Sequence, residues 1–148
     1  MLAVFVVLCL GGGAASGLVT PPGEWYAQLA KPSWTPPPWL FGPAWTVLYL
    51  LMAVSGWLLW RGREQPEARR ALAAFVVQLL LNLAWTPVFF GLHAPGAALA
   101  VILVLVAAIA ATMALADRAS RAAAVLLVPY LGWVCFATAL NWSIWRLN

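Results

Sequence analysis

Apolar residues fall into five long runs, at about 1–19, 43–61, 69–90, 97–116 and 122–146, separated by breaks of charge, glycine and proline. Each run approaches or exceeds the roughly 20 residues a helix needs to cross the hydrocarbon core of a bilayer. Three breaks are short, at Arg61 to Glu67, Gly91 to Gly96 and Asp117 to Arg121, whereas the one after the first run extends over 20–42. The first run carries no charge. Its Ala14-Ala15-Ser16 imitates a signal-peptide cleavage site, but no cationic stretch precedes the run, so it reads as a retained first span. The pattern predicts an all-α integral membrane protein: a five-transmembrane-helix bundle in a single domain over 1–148.

Inside the spans, the few polar and aromatic residues recur at helical spacing. Trp45, Tyr49, Met52 or Ala53, and Gly56 share a face of span two; Gln78, Asn82, Trp85 and Phe89 share one of span three; Tyr130, Trp133, Ala137 and Asn141 share one of span five. Amides at membrane depth turn toward protein or a cavity, because lipid cannot pair them. Bonds to neighbouring helices would also satisfy them. Span four has no aromatic and only Thr112 as a polar residue, so it is expected to serve packing or lipid and no ligand. Small residues four apart in span one, Gly13 with Gly17 and Gly11 with Ala15, predict close backbone approach within the bundle. Pro87 and Pro129 predict kinks, and Pro43 a helix start.

The long break has its own character. From Trp25 to Trp45 it holds four tryptophans, a tyrosine and five prolines, with Lys31 as its only cation. Prolines at 32, 36, 37, 38 and 43 forbid a continuous helix, although Glu24 to Ala30 can form a short one. Disordered linkers are poor in aromatic residues because nothing in them buries a ring. Amphipathic rings are favoured at the membrane–water boundary, so the segment is either an interfacial aromatic belt or a lid over the bundle. The second reading is taken here: an aromatic, proline-rich lid loop between the first two helices.

Charge adds orientation and exclusions. The chain is 65% hydrophobic and only 8% charged, against about 25% charged in soluble domains. Arg61, Arg63, Arg69, Arg70, Arg118 and Arg121 gather on one side of a five-span topology, with Lys31 and Arg146 on the other. In a bacterial cell membrane the positive-inside rule then places the N-terminus in the cytoplasm and the lid outside; in an outer membrane the rule does not decide. No basic–aromatic array suits a nucleic acid. Cys9 and Cys135 lie in apolar runs and make no disulfide framework. His93, the sole histidine, argues against a histidine-based metal site and reads as a solvated loop residue. Glu24, Glu64, Glu67 and Asp117 all fall in breaks, which leaves no acid–base pair for hydrolytic or transfer chemistry.

Several motifs, in order along nearly the whole chain, resemble the translocator protein family, also called tryptophan-rich sensory proteins or peripheral benzodiazepine receptors, in a bacterial-type form. They are WY-(four residues)-KPSW-x-PP at Trp25 to Pro37, GPAW at Gly42 to Trp45, Leu48-Tyr49, Q-(three)-N-x-AW-x-P-x-FFG at Gln78 to Gly91, PY-x-x-W at Pro129 to Trp133, and LN-(three)-WRLN at Leu140 to Asn148. The resemblance implies a pocket that takes porphyrins and synthetic isoquinoline carboxamide and benzodiazepine ligands. Its residues would be Trp25 and Tyr26 in the lid, Trp39, Trp45 and Tyr49 around span two, Asn82 and Trp85 in span three, and Trp133 and Ala137 in span five. A homodimer is implied as well. The animal proteins carry a sterol-recognition tyrosine where this chain has Trp142, between Leu140 and Arg146, so only weak sterol contact is expected there.

These readings converge on a membrane receptor or sensor for protoporphyrin-type tetrapyrroles, with lipid around it and no cofactor or metal required. Trp45, Trp85 and Trp133 offer stacking faces, and Lys31 with lid amides could meet the carboxylates. Two alternatives remain: light-dependent porphyrin breakdown at Trp45 and Trp133, and a sterol or small-molecule transporter, against which stands the lack of any buried charge pair or internal repeat.

Overall fold

A computed structural model describes residues 1–148, 84% of them helical and none in strands. Five helices are long and apolar enough to cross a membrane: Leu2–Val19, Pro38–Arg61, Pro66–Gly91, Pro95–Ala119 and Arg121–Leu147, spans one to five. A sixth, short helix, Gly23–Gln28, lies in the lid.

Spans two, three and four start earlier than the sequence expectation, each on a proline. Span two starts at Pro38, whose missing N–H costs nothing in a first turn. Pro43 therefore sits inside the helix, where it forgoes only the bond residue 43 would give to residue 39. Span three begins at Pro66 for the same reason, and at Pro87, where a kink was expected, it widens into a π-helical turn over Pro87–Gly91. The break in span five falls at Leu127, just before Pro129, because a proline disturbs the turn on its N-terminal side. The charged turn expected at Asp117–Arg121 is almost entirely helix. Only Ser120 is extended, and its side chain accepts a bond from the Ala123 N–H at 3.3 Å as an N-cap.

The spans form a ring in the order one, two, five, four, three, with three closing back on one. A core of Phe5, Cys9, Met52, Phe75, Ile109 and Tyr130 fills its middle. Gly56 makes room for it: a Cβ there would lie 2.7 Å from the Phe5 ring and 2.9 Å from that of Phe75. Span one changes partner along its length. Its first half packs on span two, and its second half, Gly12–Val19, on span three. A π turn over Val7–Gly11 lies between. Ser16 fixes the second contact by donating from Oγ to the Leu83 carbonyl at 3.0 Å. Of the small residues expected to draw backbones together, Gly13 lies against a side chain, the Tyr49 ring, and Gly17 faces open space.

Candidate functional site

Between the lid and the core lies a cavity of about 720 Å³. Its walls come from every span, and the lid closes it. Span two contributes Phe41, Trp45 and Tyr49, one helical turn apart. Starting the helix at Pro38 brings Phe41 onto the stripe and gives Trp45 nearly two turns of depth. That depth explains a contact the expected start at Pro43 made difficult. Trp45 and Trp133 meet edge to face at 6.4 Å between centroids, with no guest bridging them. Phe41 packs on Trp133 at 6.0 Å, and Trp45 stacks on Tyr49 at 5.4 Å.

Two hydrogen-bond chains hold the polar residues of the wall. In the first, the Tyr49 hydroxyl donates to Asn82 Oδ1 (2.6 Å), Asn82 Nδ2 donates to the Tyr130 hydroxyl (2.8 Å), and Tyr130 donates to Gln78 Oε1 (2.8 Å). In the second, Trp85 Nε1–H donates to Asn141 Oδ1 (3.0 Å), and Asn141 Nδ2 donates to the Pro95 carbonyl (2.9 Å). All three amides thus bond across helices, and Asn82 and Asn141 also line the cavity. Two buried donors have no partner, Gln78 Nε2 and Trp133 Nε1. A buried N–H without an acceptor costs about 1–3 kcal/mol, and both lie out of contact with the open space of the cavity.

The lid is fastened at several points. Tyr26 packs edge-on against Phe90 at 5.3 Å and Phe89 at 6.3 Å, and its burial pushes the phenol pKa up. Lys31 Nζ lies 4.5 Å from the Tyr26 ring centroid and donates to the Leu29 carbonyl at 3.2 Å. It is the only cation lining the cavity. Asn148, at the end of span five, grips the lid backbone: its Oδ1 accepts from the Ala30 N–H at 3.0 Å and its Nδ2 donates to the Ala30 carbonyl at 2.9 Å.

Of the residues singled out in the sequence, Tyr26, Trp45, Tyr49, Asn82, Trp85, Trp133, Ala137 and Leu140 line this one cavity. Trp25 does not. It packs behind the wall, stacked on His93 at 4.4 Å and 12° and edge-on to Phe89 at 5.8 Å. His93 is accordingly a stacking partner and not a merely solvated loop residue, with its backbone at φ 52°. Trp39, 71% exposed, points away from the cavity because it lies on the outer face of the lengthened span two. Trp142 and Arg146 also face outward, one turn apart with the guanidinium 6.0 Å from the indole, while Leu140 faces in. The sterol triplet therefore does not share a surface. Span four, read from the sequence as a helix for packing or lipid, contributes Ile102 and Leu105 to the wall. Nothing distinguishes those two aliphatics within an aliphatic helix.

Comparison with known proteins bears on this architecture. Residues 5–146 match the model of the TspO/MBR family. The chain is 44% identical to the tryptophan-rich protein TspO of Chlorobaculum tepidum, over 99% of its length and 95% of that protein's. It is 42% identical to protein CrtK of Rhodobacter capsulatus, over 100% and 92%. Identity to the human translocator protein is 44%, over 84% of this chain and 75% of the human one. With five membrane-spanning helices and a match along almost its full length, the chain is an integral membrane protein that belongs to the TspO/MBR family.

Proposed function

We propose that the chain is a membrane receptor or sensor whose cavity takes a planar tetrapyrrole of the protoporphyrin type. The observation that carries this reading is one aromatic cavity beneath the lid, walled by tryptophans from three spans and lined by a single cation. Ligand pockets typically measure about 300–1,000 Å³ and combine apolar walls with a few placed polar groups. Here Trp45, Trp85 and Trp133 supply ring faces and edges, and Asn82 and Asn141 are the placed amides. Lys31 offers the one positive charge, beneath the lid, where a carboxylate tail would end. The tetrapyrrole is a guest, and no further cofactor is invoked.

Titration of purified protein with protoporphyrin, haem and a sterol, followed by tryptophan fluorescence, tests this. Saturable quenching by protoporphyrin with little response to sterol is expected, since Leu140, Trp142 and Arg146 share no face. Failure of protoporphyrin to saturate at micromolar concentration would overturn the reading. Repeating the titration in light and in darkness separates binding from breakdown, which would appear as a light-requiring loss of porphyrin absorbance that turns over.

We also propose a homodimer, formed through small residues left on the outer faces of spans one, three and four. A monomeric mass in both mild detergent and lipid nanodiscs would end that proposal.

A further inference from the structure

The roof of the cavity is tied down, but part of its wall is open. The lid is bonded to Asn148 and packed on Phe89 and Phe90. Beyond Gly13, span one leaves span two for span three, and the two spans part. Ala14 and Gly17 on one side of the gap, and Gly42 and Thr46 on the other, line the cavity and are exposed. A Cβ added at Gly17 or Gly42 would meet nothing within 4 Å. The single hydroxyl at the gap, on Thr46, is already bonded to the Gly42 carbonyl at 2.8 Å, so lipid can face it without leaving a donor unpaired.

The depth of the gap matters. Span two has 24 residues and is about 36 Å long at 1.5 Å per residue, so it overreaches a hydrocarbon core of about 30 Å by about 3 Å at each end. Gly42 and Thr46 follow Pro38 by one and two turns. They therefore sit within the acyl region of the lid-side leaflet, not among headgroups.

The geometry points to a lateral portal: guests enter and leave the cavity from the bilayer, between spans one and two, while the lid stays closed. This rests on the reading of the cavity as a binding site and narrows its ligand class. The guest must be a lipid-dissolved amphiphile with a flat apolar body able to slide edge-first past glycines, and with its polar end toward Lys31.

Entry can be read without any natural ligand. Ala137→Cys, in a Cys9→Ala, Cys135→Ala background, places one thiol in the cavity wall. Its modification by pyrene maleimide dissolved in the vesicle membrane reports passage. Gly42→Leu and Gly17→Leu, made separately so that misfolding of one leaves the other, should each slow modification on the order of tenfold, while Asn148→Ala leaves it unchanged. Equal labelling of all variants after unfolding confirms that the thiol itself is unaltered. Parent-like rates in both leucine variants, or faster labelling on loosening the lid with Asn148→Ala, would overturn the portal. Protoporphyrin exchange in the same proteins separates the two claims. Slowed labelling in a protein that binds no protoporphyrin keeps the portal and refutes the tetrapyrrole.

Discussion

Trp133 touches Phe41, Trp45 and Phe136, so its replacement tests the ring cluster of the cavity wall. Trp133→Leu and Trp45→Leu should each weaken protoporphyrin binding by about 1–3 kcal/mol through lost burial and stacking. Trp133→Phe, which keeps an aromatic face, should cost about 0.5–1.5 kcal/mol less than Trp133→Leu. Trp57→Leu and Trp39→Leu, both away from the cavity, are the controls; a loss there equal to that at Trp45 would refute the assignment. Tyr130 makes a different point. Its hydroxyl both accepts and donates in a fully buried position, so Tyr130→Phe strands Gln78 Oε1 and Asn82 Nδ2 together. A loss of about 0.6–2 kcal/mol is expected, at the upper end of interhelical bonds in membranes, measurable by thermal or denaturant unfolding in detergent. At this scale the sequence was informative for residues with rare chemistry. An amide or indole in an aliphatic helix announces a face, whereas Ile102 and Leu105 look like every neighbour they have. Trp25 and Trp39 misled because an indole is at home both in a pocket and at a membrane boundary.

Among the elements, hydropathy located all five spans, since length and apolar content are what a bilayer demands. It located their ends less well, because proline breaks helices and also starts them. Pro38 and Pro66 are starts, and Pro43 is carried inside a helix. Which role each plays depends on whether a preceding turn needs the missing N–H, a fact of the folded chain and not of the residue. Small residues divide in the same way. Gly13 is packed against Tyr49 while Gly17, on the same helix, touches nothing. Gly13→Ala should therefore displace the Tyr49 ring, break its bond to Asn82 and cost about 1–3 kcal/mol as an overpacked site; Gly17→Ala should be tolerated. Equal melting temperatures for the two variants would show that the span one–span two contact is looser than described.

For the whole molecule, the arginine asymmetry makes a prediction about placement in the membrane. Span ends carrying Arg61, Arg63, Arg118 and Arg121 lie opposite the lid in the five-span arrangement, which puts the lid outside if the host is a cell membrane. Single cysteines at Ser33 and Gln65, without Cys9 and Cys135, should label from opposite faces of sealed vesicles, Ser33 from the outer one. Labelling of both from one face would contradict the arrangement of spans, and reversed sides would contradict only the orientation.

The bonds from Tyr49 through Asn82 and Tyr130 to Gln78 all point the same way, inward from the cavity. Tyr49 has committed its one proton to Asn82, so toward a guest its oxygen can only receive. Lys31, in the lid over the same space, can only give. The two groups thus ask for opposite things of whatever lies between them: a proton for one and a lone pair for the other. A macrocycle whose inner nitrogens still carry hydrogen, and whose edge bears carboxylates, has both to offer. The same macrocycle with its centre filled by iron has surrendered the first.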